Sequence, residues 1–131
     1  MPDRIVASVM LCLLITLQSS CRSKYASLEG VVSNDRVVNA TTVRHGVDTM
    51  YLYEIIGGRE TVNQFINAWQ LAKVENSSKI SFLNDDTPQW WLQCDCLPLE
   101  KYYWSDEPTE RYRSLWFCED GNKLFVECGQ W

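Results

Sequence analysis

The chain has one histidine, His45, standing beside Gly46 in a segment, 45–48, that reads as a turn. No nucleophile is marked near it, so it reads as a solvated loop residue rather than a general base, and no catalytic residue is assigned. Glycine is scarce, with six in 131 residues. The one doublet, Gly57-Gly58, lacks the following Lys and Ser/Thr of a phosphate-binding loop. Lys and Arg number 12 against 17 Asp and Glu, for a formal net charge of −5. An acidic chain without a basic stripe argues against nucleic acid as a partner and against electrostatic recruitment to anionic lipid. The adjacent carboxylates Asp85-Asp86 and Asp106-Glu107 lack the spaced ligands and Gly of a calcium loop and read as solvated loop charges. There is no Cys-x2-Cys knuckle for zinc and no reactive Cys-x-x-Cys pair, so neither a metal, a cofactor nor an enzymatic activity is expected. Internal repeats and low-complexity segments are absent.

A hydrophobic run long enough to span a bilayer is missing as well. The longest, residues 5–17, is interrupted only by Ser8 and Thr16. About a dozen residues at ~1.5 Å each fall well short of the ~30 Å hydrocarbon core, which disfavours a permanent transmembrane helix. Arg4 before this run and the polar Gln18, Ser19 and Ser20 after it follow the three-part plan of an export signal. Leu17-Gln18-Ser19-Ser20-Cys21 resembles a lipobox, the motif at which bacterial prolipoproteins are lipidated on cysteine and then cut before it; leucine stands one residue earlier here than is usual. The resemblance covers the signal only. It implies removal of residues 1–20, acyl chains such as palmitate on Cys21, and a membrane-anchored, extracytoplasmic place in the bacterial cell envelope; an ordinary secreted protein is the alternative. At ~0.8 kcal/mol per buried methylene, two or more acyl chains would hold the domain at a membrane surface. Arg22 supplies no acidic retention signal after the cysteine.

Cysteine arithmetic agrees with lipidation. Cys12 leaves with the signal, and the mature chain keeps Cys21, Cys94, Cys96, Cys118 and Cys128, an odd set for an oxidising compartment. Acylation of Cys21 leaves four to pair. Neighbours in Cys94-Asp95-Cys96 bond to each other only with strain, so the two connectivities that join them to Cys118 and Cys128 are preferred, each bridge contributing ~3 to 4 kcal/mol. A three-residue turn between 118 and 123 would put Cys118, Leu124, Val126 and Cys128 on one strand face, and is favoured because it unites all four cysteines; a two-residue turn would separate them.

Residues 21–28 read as anchor and flexible tether, and 29–131 as a single domain. Strand propensities mark 28–43, 49–56, 79–83, 89–96 and 101–104, and a hairpin at 111–118 and 123–128 carries the Asp120-Gly121 turn signal. Val62, Phe65, Ile66, Trp69 and Ala72 recur at helical spacing within 59–74, a span without Pro or Gly. The expected fold is α+β, a twisted antiparallel sheet with one amphipathic helix packed on a face, in the order β-β-α-β-β-β-β.

Aromatic pairs are the remaining signal. If 89–96 is a strand, Trp90, Leu92, Cys94 and Cys96 face one way and Trp91 the other. Trp91, Tyr103 and Phe125 would then share a sheet side that needs a cover, either the N-terminal strands or a partner, and Arg111 and Arg113 would rim it. The expected function is a lipid-anchored binding or structural module whose partner is the membrane together with an envelope protein or glycan. The alternatives are an inhibitor-like protein presenting a disulfide-held loop at 105–110, and a small envelope enzyme.

Overall fold

The computed structural model describes residues 24–75, 87–92 and 99–130, apart from the side chain of His45. The signal segment, Cys21, Cys94, Cys96 and the expected strand at 79–83 lie outside these described residues. The strands are β1 (Val37–His45), β2 (Asp48–Ile56), β3 (Ala72–Val74), β4 (Glu100–Asp106), β5 (Arg111–Cys118) and β6 (Lys123–Gln130), and one α-helix, α1 (Arg59–Trp69), lies between β2 and β3. They form one six-stranded sheet in the order β1-β2-β6-β5-β4-β3. Every neighbouring pair is antiparallel, so this is a mixed α+β fold dominated by its sheet.

The β1–β2 hairpin turns through Gly46-Val47, with His45 paired to Asp48. Gly46 supplies the positive φ of 65° that such a tight connection requires. From β2 the chain crosses by α1 to the far edge of the sheet, then returns through β3, β4 and β5 until β6 pairs with β2. The C-terminal strand is thus central.

Each face of the sheet carries a buried cluster, under a different cover. On the first face, Val62, Phe65 and Trp69 of α1 join Ile55, Leu115, Phe117, Leu124 and Val126 in one cluster, together with Leu28 and Val32 from the N-terminal segment. On the second face, Trp91, Leu92 and Leu99 cover Val43, Leu52, Trp116, Cys118 and Phe125. Trp91 packs edge-on against Trp116 at 5.6 Å and Phe125 at 5.8 Å between ring centroids, a geometry that adds attraction beyond the area buried.

Four expectations are corrected. The helix ends at Trp69 rather than at 74: Gln70 turns left-handed at φ 57°, its N–H bonds the Ile66 carbonyl, and Ala72–Val74 pairs with β4 instead. Residues 89–92 are turn, not strand, with the Trp91 N–H on the Pro88 carbonyl at 3.1 Å and Leu92 at φ 54°. Trp91 and Leu92 therefore bury together rather than alternating. The β5–β6 connection runs from Glu119 to Asn122, pairing Cys118 with Lys123 and Phe117 with Leu124. This parity sends Cys118 and Cys128 to opposite faces, against the expected single cysteine face. Finally, the described C-terminal part of the segment read as a flexible tether is folded: Ala26–Leu28 forms a 3-10 turn, and Leu28, 1% exposed, sits in the first-face core.

Candidate binding site

The first face is not covered over its whole length. Helix α1 and residues 25–32 cover the part holding Ile55, Leu124, Leu115 and Tyr53, while the end formed by Thr42, Thr49, Tyr51, Arg111 and Gln130 is left as the wall of an open trough of about 960 Å³. The cause is local. In β2, Tyr51 and Tyr53 are two residues apart and point the same way. Tyr53 is buried, because the N-terminal segment lies over it, and Tyr51 beyond that cover is 41% exposed.

The inner wall of the trough is tied together by polar contacts. The hydroxyls of Ser27 and Tyr53 are hydrogen-bonded, and Tyr25 meets Tyr53 edge-on at 5.7 Å. Burial raises the pKa of Tyr53. Arg113 pairs with Glu29, and its guanidinium lies 4.5 Å over the ring of Trp69 and 5.1 Å over that of Trp104. Burial works against its charge and lowers its pKa, yet a guanidinium stays cationic in proteins. Cys128 is a free thiol at the buried end of the trough; its Sγ–H points at the Ser27 carbonyl, 3.7 Å away. Its pKa is pushed up to about 12, chiefly by burial. A thiol held protonated in this way is not a nucleophile at neutral pH.

Three cations, Lys24, Arg111 and Arg113, and one anion, Glu29, line the trough. The acidity of the chain as a whole is thus reversed locally. Asp106 stands opposite Arg111 across β4 and β5, but its carboxylate accepts from the Thr109 hydroxyl at 2.6 Å.

A second polar feature lies on the other face. Glu127, 3% exposed, sits between Leu52 and Ser114 in the strand register. Burial raises its pKa to about 7; the Lys101 cation and a hydrogen bond from the Tyr112 hydroxyl offset this only partly. The Tyr112 ring lies across Gly129, its cross-strand partner, where a side chain would collide with it.

The residues singled out from the sequence are distributed differently from expectation. Trp91 and Phe125 are core, so they offer nothing to a partner. Tyr103 is exposed and stacks on Tyr112 at 6.5 Å on the second face, while Arg111 and Arg113 belong to the first. The expected aromatic patch rimmed by the two arginines does not form. Cys118 is buried in the second-face core, and Cys128 is a free thiol on the first face. The expected pairing of these two with Cys94 and Cys96 falls on residues outside those described. The 105–110 loop is held by the Thr109–Asp106 bond and by the Glu110 N–H on the Glu107 carbonyl. Among the described residues no group of three or more His, Cys, Asp or Glu is placed to hold a metal. Nor is any described helix long and apolar enough to cross a membrane.

Sequence reasoning missed Tyr51, Tyr53, Ser27 and Gln130, which line the trough, and the buried Glu127. The i, i+2 spacing of Tyr51 and Tyr53 in a predicted strand was the available signal. No protein-family model, no curated protein and no solved structure matches this chain.

Proposed function

We propose that the protein is a lipid-anchored binding module of the bacterial cell envelope that holds an envelope component in the trough between Tyr51 and Arg111. The observation that carries this reading is the reversal of charge and the exposed tyrosine at one end of an otherwise covered sheet face. Tyrosine gives contact area at small entropic cost, and Arg adds planar donors, which suits such a surface to recognition rather than to packing. The lipobox resemblance supports the anchor. Lys24 lies at the trough, and three residues of chain at ~3.3 to 3.6 Å each reach about 11 Å, so acyl chains on Cys21 would hold the trough close to the bilayer surface. The folded segment at 25–28 leaves little slack in that arrangement.

Two measurements test the proposal. The mature protein from its native host is expected to begin at Cys21 and to carry added acyl mass; an unmodified chain removes the anchor. A photo-crosslinking side chain in place of Tyr51 is expected to capture an envelope component in intact cells, whereas the same group in place of Glu60, exposed on α1, does not. Equal capture from both positions, or none from either, rules out the trough as the site.

A further inference from the structure

We propose that the envelope component held in the trough is the headgroup of a zwitterionic phospholipid, a phosphate joined to an ammonium, belonging to the bilayer in which Cys21 is anchored. This rests on the reading of the protein as a lipid-anchored binding module and specifies its ligand.

The strand register builds the floor of the trough at its open end. Arg44 pairs with Thr49, Thr49 with Gln130, Gln130 with Arg111 and Arg111 with Asp106, which makes one row across β1, β2, β6, β5 and β4. Opposed residues share a sheet face, and Thr49, Gln130 and Arg111 line the trough. Of the charges around it, Arg113 is matched by Glu29. Lys24, Arg44 and Arg111 make no ion pair among the described residues. Arg111 and Asp106 are neighbours of opposite sign, yet the Asp106 carboxylate accepts from the Thr109 hydroxyl and Arg111 lines the trough. Glu107 and Glu110, both exposed, follow Asp106 on the same connection. Unpaired cations and a group of carboxylates therefore stand side by side.

That mixture selects the ligand. A purely anionic group is attracted by Lys24 and Arg111 but repelled by Asp106, Glu107 and Glu110, and a simple cation meets the reverse. A phosphate and an ammonium on one short headgroup answer both signs, since guanidinium holds phosphate through paired N–H donors and carboxylate accepts from ammonium. The source follows from the chain. Lys24 lines the trough three residues after Cys21, at most about 11 Å of backbone, so the headgroup layer around the anchor is what the trough meets. Two further side chains at this end suit an interface: Val47, 99% exposed at the tip of the β1–β2 turn, and Tyr51, an amphipathic ring of the kind enriched at headgroup level. The net charge of −5 opposes recruitment from solution. Acyl chains therefore supply the membrane affinity, and the trough sets the orientation of the domain on the bilayer.

The test uses the mature lipidated protein in nanodiscs doped with a phospholipid that carries a nitroxide on its headgroup, and reads the paramagnetic loss of each backbone amide signal. In discs of phosphatidylethanolamine and phosphatidylcholine, amides at 46–51 and 109–111 are expected to lose their signals, while those at 119–122, at the far end of the sheet, keep theirs. In phosphatidylglycerol discs, which offer phosphate without ammonium, the signals at 109–111 are expected to survive. Arg111→Glu is expected to restore them in the zwitterionic discs, with unchanged amide shifts in α1 showing that the fold is intact. Equal loss in phosphatidylglycerol overturns the zwitterion, and loss unaffected by Arg111→Glu overturns the phosphate contact. Loss confined to 119–122, or spread evenly over the domain, overturns the docking. The intact mass of the same preparation separates the two readings: an acylated chain without loss at 46–51 and 109–111 keeps the anchor and removes only the headgroup, whereas a chain without acyl mass removes both. A photo-adduct at Tyr51 with the mass of a glycan or a protein in place of a phospholipid leaves the trough as a binding site and overturns the lipid as its ligand.

Discussion

Glu127→Gln isolates the cost of keeping a carboxylate inside the second face. In the folded protein burial raises the Glu127 pKa from 4.5 to about 7. The sign follows from the protons bound in each state. Below about pH 4.5 the carboxyl is protonated both folded and unfolded, and the site has no effect on the pH dependence of stability. Between about 4.5 and 7 the unfolded chain gives up the proton while the folded chain keeps it, so stability falls as pH rises, by ~1.36 kcal/mol per unit. Above about 7 the folded carboxyl ionises as well and the loss is complete, on the order of 3 kcal/mol across the window. The groups facing it are Lys101 and Tyr112, whose attraction and hydrogen bond are already contained in that shift. Glutamine keeps the shape and one carbonyl acceptor for the Tyr112 hydroxyl but cannot ionise.

The assay is urea unfolding followed by tryptophan fluorescence, for wild type and variant, at several pH values from about 4 to about 8. Subtracting the two curves cancels the other carboxylates. Among these is Glu100, whose pKa is lowered by hydrogen bonding to Arg59 and whose contribution is lost in the opposite direction, as pH falls. The variant is expected to be within about 0.5 kcal/mol of wild type at low pH and to gain on it through the window, ending ahead by up to ~3 kcal/mol. A difference that stays flat from about pH 4 to 8 would refute the placement of Glu127 as a buried, poorly compensated carboxylate.

Two further outcomes are expected. Gly129→Ala, whose new Cβ would meet the Tyr112 ring at 2.2 Å, should destabilise by about 1–3 kcal/mol in urea unfolding, and should cost almost nothing in a Tyr112→Ala background; an additive double mutant would contradict the close approach. Cys128 should resist alkylation by iodoacetamide in the native protein at mildly alkaline pH and react fully in urea, because its thiol is buried with a pKa of about 12; native reaction at the rate of a free thiol would contradict that burial.

The fold was legible where one local signal sufficed. The β1–β2 turn has a glycine where positive φ is needed, and β5 and β6 flank a run of turn residues, so both hairpins could be read from the chain. Local signals failed where tertiary pairing outweighed them. Nothing at Gln70 marks the end of a helix, since the apolar spacing continues to Ala72, yet the sheet edge at Tyr102 and Tyr103 takes up Ala72–Val74 as a strand. Residues 89–96 read as a strand from the alternation of Leu92, Cys94 and Cys96 with Gln93 and Asp95, but Pro88 and the left-handed Leu92 make 89–92 a turn that drops Trp91 and Leu92 together onto Trp116 and Phe125.

The candidate site was far less legible, and the parity of one connection shows why. The turn type between Cys118 and Lys123 was open from sequence, and the choice of a three-residue turn rested on the attraction of uniting four cysteines. With Glu119 to Asn122 as the connection, residues 118 and 123 face each other, and every later side chain of β6 is assigned to the face opposite the one expected. Cys128 thereby leaves the expected cysteine face and enters the trough beside Ser27, and Glu127 takes its place on the second face, hydrogen-bonded by the Tyr112 hydroxyl. The trough has the same origin. Lys24, Tyr51, Arg111 and Gln130 are distant in sequence and meet only because β6 inserts between β2 and β5. Composition pointed the other way, since a net charge of −5 masks a local surplus of three cations over one anion. Net charge governs long-range behaviour, whereas a binding site answers to the few charges within a Debye length of about 8 Å, and here the two have opposite signs.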